Sequence, residues 1–176
     1  LILIETPGGK PRILDWLSVP WGVVSLSEAL AHDDSSGPSR DQAYASMKSL
    51  VLESFAAFAQ RLPVAPPDRR LLGTSGTVTT LASVHLGLPS YDRRAVDGLH
   101  VPSDAFRSIS SGLARMSIAE RARQPCIGQE RADLVVAGCA ILEAILDIWP
   151  AHRVGVADRG IREGILRQLV QMDSRR

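Results

Sequence analysis

The chain has 176 residues, the size of one ordinary domain. With 45% apolar and 22% charged residues it has a globular balance, which excludes a disordered or fibrous chain. A net charge of +1 removes the electrostatic argument for a general nucleic-acid or membrane-surface binder.

Leu1–Glu5 and Arg12–Val19 read as two short strands joined by the turn cluster Thr6-Pro7-Gly8-Gly9. Gly22–Leu26 reads as a third strand, and Ser27-Glu28-Ala29 as the start of a short helix. Asp33 to Ser39 forms a polar loop. Ser39 or Asp41 then caps a long helix to about Leu62, with Ala43, Met47, Leu50, Val51, Phe55 and Phe58 on one face and Pro63, Pro66 and Pro67 stopping it. Arg69–Leu72 is a short strand that runs through Gly73-Thr74-Ser75-Gly76-Thr77 into a helix ending near Leu86. Val96–Val101 is extended. Ser103 caps a helix to about Met116, and Ser117 with Glu120 has capping-box spacing. Gln129 to Trp149 is a long apolar helix ended by Pro150. Arg153–Ala157 is a strand. Gly160–Met172 is an amphipathic helix that would bury Ile161, Ile165, Leu166 and Leu169. A hairpin followed by alternating strands and helices describes an α/β domain with a mixed sheet.

Cys126 and Cys139 have no partner at metal spacing, so neither a disulfide framework nor a zinc site is expected. The apolar run Leu134–Ile148 is too short to span a bilayer and carries Glu143 and Asp147. No charged-then-apolar leader opens the chain, and a cytoplasmic setting is expected. Its first residues, Leu-Ile-Leu-Ile with no initiator Met, are the opening expected of a segment cut from something longer. Of the 20 basic residues 18 are Arg, a composition suited to phosphate or carboxylate recognition and equally a product of codon bias.

The strongest local signal for chemistry is the strand–loop–helix at Leu71–Thr77. Two glycines bring backbone N–H groups close to a ligand, and the following helix aims its free N–H groups and positive end at the same place. A plain glycine-rich turn capped by Ser75 accounts for the same residues. The absence of Lys after Gly76 excludes a Walker A loop. Gly73-Thr74-Ser75-Gly76-Thr77 also falls one residue short of a nucleophile elbow, for which Asp147 and His152 stand in the right order. A second junction, Asp158-Arg159-Gly160, follows the last strand, and strand-to-helix junctions of one sheet face one crevice. Asp158 capping the last helix is the simpler alternative. Arg131 offers a guanidinium to an anion or sits solvated in a helix first turn. The four histidines have no ligand or triad spacing, and the scattered Trp16, Trp21 and Trp149 make no platform for single-stranded nucleic acid.

In order along the chain, Ser18–Leu26, Gly73–Ala82, Tyr91-Asp92-Arg93-Arg94, Met116–Arg121, Glu130–Asp133 with Ala137-Gly138, and Asp158–Gly164 resemble the exopolyphosphatase and guanosine pentaphosphate phosphohydrolase (Ppx/GppA) family. The resemblance implies the ribonuclease H-like, actin-like ATPase fold, with helices on both faces of a mixed sheet. It also implies magnesium-dependent cleavage of phosphoanhydride bonds in inorganic polyphosphate or guanosine pentaphosphate. Residues 1–176 resemble the second domain of that core as a single domain. The family's D-I-G-G-G-S phosphate loop and its proposed catalytic Glu have no counterpart here, so no catalytic residue is assigned and most magnesium ligands are expected elsewhere. The expected phosphate-binding residues are Gly73, Thr74, Ser75, Gly76, Thr77, Arg131, Asp158 and Gly160. Expected partners are the phosphate substrate, an upstream domain and a second copy in a homodimer, with no membrane and no specific nucleic acid. A non-catalytic phosphate- or nucleotide-binding module of the same fold is the alternative. The family fold also places a strand between the one beginning at Leu1 and the one ending at Leu72, so a gap in the sheet is expected there.

Overall fold

A computed structural model describes residues 1–30, 37–63 and 69–173. The expected loop at Asp33–Ser36 and the stops at Pro66 and Pro67 lie outside the described residues. Strands β1 (Ile2–Glu5) and β2 (Arg12–Trp16) form an antiparallel hairpin through the turn at Pro7–Gly9. Gly8 and Gly9 both take positive φ there, +57° and +78°, a conformation that glycine adopts without strain.

Residues 22–26 are not a strand. They open helix α1 (Val23–Ala29), because Gly22 N–H donates to Ser25 Oγ at 2.9 Å and Val23, Leu26 and Leu30 recur with helical spacing. Helix α2 (Gly37–Arg61) buries Met47, Val51, Phe55 and Phe58, the stripe expected from the sequence. Strand β3 (Leu71–Gly73) leads into helix α3 (Gly76–His85). The strand expected over 96–101 is found at its end, as β4 (His100–Pro102), and is preceded by a short helix, α4 (Arg93–Val96), capped by Asp92. Gly98, at φ +87°, supplies the bend between them.

Helix α5 (Ser103–Arg115) follows, with Ser103 at its first position; the Ser103 hydroxyl donates to Ala151 O instead of capping. Helix α6 (Ile118–Ala122) has the expected Ser117–Glu120 capping box. The long apolar helix is shorter than its sequence suggests. Arg131 O accepts from both Leu134 and Val135, so residues 129–134 are turns, and α7 runs Val135–Ile148. Strand β5 (Arg153–Val156) and helix α8 (Ile161–Asp173) complete the order.

Strand β5 is central to a mixed sheet ordered β3-β5-β4, parallel to β3 and antiparallel to β4. Val154, Gly155 and Val156 are all buried, so both faces of β5 are covered. The core gathers around α7, which packs on α1, α2, α3 and α5. Arg121 is its least usual member. Fully buried, it donates from Nε to Ala132 O at 2.6 Å and from Nη1 to Met116 O at 2.9 Å, tying α6 to the turns before α7.

The hairpin and the three-stranded sheet do not pair with each other. Between them lies a largely apolar cavity of about 290 Å³, lined by Leu1, Val23, Leu71–Gly73 and residues of α7. The expected buried side of α8 is not found. Ile161 is 81% exposed and Leu166 63%. An amphipathic stripe records that a face is suited to cover, and the described residues do not supply that cover. No helix of the described residues is long and apolar enough to cross a membrane.

Candidate functional site

Parallel pairing of β3 with β5 brings the two sequence-expected loops to one end of the sheet. Gly73 lies opposite Val156, and Ala157 N–H donates to Gly73 O at 3.0 Å. The Ser75 loop and the Asp158 turn therefore leave adjacent strands at their carboxyl ends, where open α/β sheets bind ligands.

Thr74, Ser75 and Gly76 are exposed at the start of α3. Ser75 is its N-cap, and its Oγ accepts from Val78 N–H at 3.4 Å. Thr79 N–H reaches Ser75 O at 3.2 Å. That leaves the N–H groups of Gly76 and Thr77 as the first-turn donors without a carbonyl inside the helix. Gly73 is required for packing: a Cβ there would come within 2.6 Å of Val78. Gly76 is different, since a Cβ at that position meets only Arg131 Nη1, at 3.9 Å. Thr77 turns its side chain away from the mouth toward Gly138 of α7.

Arg131 lies in the turns before α7 and not, as expected, in a helix first turn. Its Nη1 is 3.5 Å from Gly76 O and also donates to Thr80 Oγ1. Arg131 is exposed, and its guanidinium stands against the first turn of α3.

The Asp158 turn is the second wall. Asp158 does not cap α8. Its carboxylate pairs with Arg93 Nε at 3.0 Å, and its N–H donates to Asp97 Oδ1 at 3.0 Å. Burial, reinforced by the Asp158 carboxylate, pushes the Tyr91 hydroxyl up to about 12. Gly160 N–H is taken by Glu163 Oε2 at 2.8 Å, so the chain itself occupies the amide that the sequence suggested for a phosphate.

A nucleophilic Ser75 is not supported. His152 precedes β5 and so lies at the opposite end of the sheet from Ser75. Asp147, the triad's third member, is bound to Lys48 at 2.7 Å and Arg107 at 2.8 Å.

Tyr91, Arg93 and Asp97 were not among the expected site residues. Topology held a signal: β4 runs antiparallel to β5, so the segment entering β4 must pass over the sheet end where β5 finishes. Magnesium fits this chain poorly. Among the described residues no three His, Cys, Asp or Glu side chains gather, and Asp158 and Asp97 are each engaged by arginine.

Solved structures show the same architecture. The Aquifex aeolicus member of the Ppx/GppA protein family superposes with a TM-score of 0.77 at 23% identity, over 94% of this chain and 51% of that one. An exopolyphosphatase from Cytophaga hutchinsonii gives 0.74 at 20% identity, over 93% and 52%. The fold is thus that of the actin-like ATPases. In sequence the chain is 26% identical to Exopolyphosphatase 2 of Mycobacterium tuberculosis across 137 residues, 78% of this chain and 42% of that protein. It spans about half the length of the structures and less of the curated relative. The model of the Ppx/GppA phosphatase family matches residues 4–172, nearly the whole sequence, and the chain belongs to that family.

Proposed function

We propose that residues 1–176 form the second half of the catalytic core of a phosphohydrolase that removes terminal phosphate from inorganic polyphosphate or guanosine pentaphosphate. In this reading the chain contributes an anion-binding wall. One observation carries it: Arg131 is bonded to the Gly76 carbonyl at the exposed start of α3, so a fixed cation shares the first turn that carries two free amides.

These residues bind and orient. Gly76 and Thr77 N–H groups would hold a non-bridging phosphate oxygen, Ser75 would assist with its hydroxyl hydrogen, and Arg131 would neutralise the charge. Thr74 lines the entrance. Positioning of this kind is the larger part of phosphoryl-transfer catalysis. A base for the attacking water is not among these residues, and magnesium, implied by the family, would need ligands other than those described.

The alternative, a non-catalytic phosphate-binding module, draws support from a different observation: Asp158 and Asp97 are both tied to arginines. Phosphate release from long-chain polyphosphate separates the two. The full-length gene product should release phosphate with magnesium, while the purified 176-residue chain stays at the level of a heat-killed control, because losing base catalysis alone costs roughly 10²–10⁴-fold. A full-length product that binds polyphosphate without hydrolysing it supports the module. Turnover by the 176-residue chain alone would overturn the division of labour.

A further inference from the structure

The turn at Asp158–Gly160 belongs to neither β5 nor α8, and residues far upstream set its shape. Asp97 uses both carboxylate oxygens on it, Oδ1 accepting from Asp158 N–H at 3.0 Å and Oδ2 from Arg159 Nε at 3.3 Å. Arg93 holds the other side, pairing with the Asp158 carboxylate at 3.0 Å and donating to the Asp158 carbonyl. Helix α4, which carries Arg93, also packs on α3, so one short segment touches both walls of the crevice. The Asp158 amide, then Arg159, hold the Asp97 carboxyl below the usual carboxylate range despite the opposing effect of desolvation, so the acceptor stays ionised at neutral pH.

We propose that Asp97 and Arg93 are positioning residues for the anion site, bracing the Asp158 turn at a fixed separation from the start of α3. The inference rests on the proposed function. Neither side chain needs to touch the ligand. Their effect is on where Arg159 and the Asp158 backbone stand relative to Gly76 and Arg131. A chain that merely stapled a surface loop would make the same contacts, and only ligand affinity tells the two apart.

The test titrates the full-length gene product with tripolyphosphate by calorimetry and records a thermal melt for each variant. Asp97→Ala and Arg93→Ala should each bind about tenfold more weakly, the scale of a lost charge-assisted contact, with the melting temperature nearly unchanged. Arg93→Lys, which keeps the charge, should recover most of the loss. Asp97→Asn keeps an acceptor for the Asp158 amide and gives up the charge facing Arg159, so it should fall between. Unaltered protein that fails to bind would overturn the proposed function and this inference with it. Binding by the unaltered protein together with equal binding by both alanine variants would overturn the brace alone. So would a loss of affinity that merely follows a loss of melting temperature and is not restored in Arg93→Lys.

Discussion

A β-carbon on Gly138 would stand 2.3 Å from the Thr77 hydroxyl oxygen, so α7 and the first turn of α3 touch as closely as a glycine permits. That contact sets how far the amides of Gly76 and Thr77 sit from the long apolar helix that organises the core. Gly138→Ala should therefore destabilise by overpacking, about 1–3 kcal/mol. In a domain of this length that is roughly 2–4 °C of melting temperature per kcal/mol. A melt within half a degree of the unaltered chain would show that α7 moves away without cost.

The cradle at α3 predicts unequal effects from its two smallest residues. Ser75→Ala loses a cap and one neutral hydrogen bond to ligand, each about 0.5–1.5 kcal/mol, so tripolyphosphate affinity should fall by no more than about tenfold. Gly76→Val has room in the fold, since a Cβ there meets only Arg131 at 3.9 Å. Its branched side chain would project toward the ligand and should abolish binding by the full-length protein while leaving the melt nearly intact. Normal binding by Gly76→Val, or a worse loss in Ser75→Ala, would sink the backbone account.

Asp147 predicts a pH-dependent contribution to stability. Burial alone would raise its carboxyl, but hydrogen bonds from Lys48 and Arg107 outweigh it and hold the group below its ordinary value of 3.8. A depressed folded value means the contribution is complete above 3.8 and is lost as pH falls through the folded value. Asp147→Asn should be less stable by ~1 kcal/mol at pH 7, as expected for a partly exposed pair, and the difference should close as pH falls through the folded value. A gap that persists unchanged in acid would show that the loss is one of packing.

The two cysteines should differ in reactivity. Complete burial pushes the Cys139 thiol up to about 12, so it stays protonated and covered. Cys126 is only half-buried, in a turn with φ +68°, and its Sγ contacts Leu88 O. Native protein at pH 8 should react with Ellman's reagent at Cys126 alone, and Cys126→Ser should leave no reactive thiol until denaturant is added.

Much of the scaffold was legible because its signals are local. The stripe through Met47, Val51 and Phe55, the box at Ser117–Glu120 and the Ser75 cap each depend on residues within one or two helical turns of one another. Gly22–Leu26 misled because two β-branched residues beside a glycine suit either structure, and burial of Leu26 beside α7 decided for the helix. The stripe of α8 was read correctly as apolar and wrongly as buried, since periodicity records a face and not what lies against it. Gly76 and Arg131 were both singled out, each for its own chemistry. Their meeting, and the reach of Arg93 and Asp97 to Asp158, depend on tertiary contacts that no window of sequence spans.

The central strand also has a kinetic meaning. Among the described residues β5 is the last strand and the only partner of both β3 and β4, so Leu71 waits for Val154 before that pairing forms. During synthesis, the edges by which β3 and β4 pair with β5 therefore stay open until residues near 156 clear the ribosome. Helices α2 and α5 precede β5 by many residues, whereas α7 directly precedes it, so the element that closes the core and the strand that closes the sheet arrive together. Pairing between such distant segments is slow relative to local folding, and the interval before it is when such a chain is most exposed to aggregation and to chaperones.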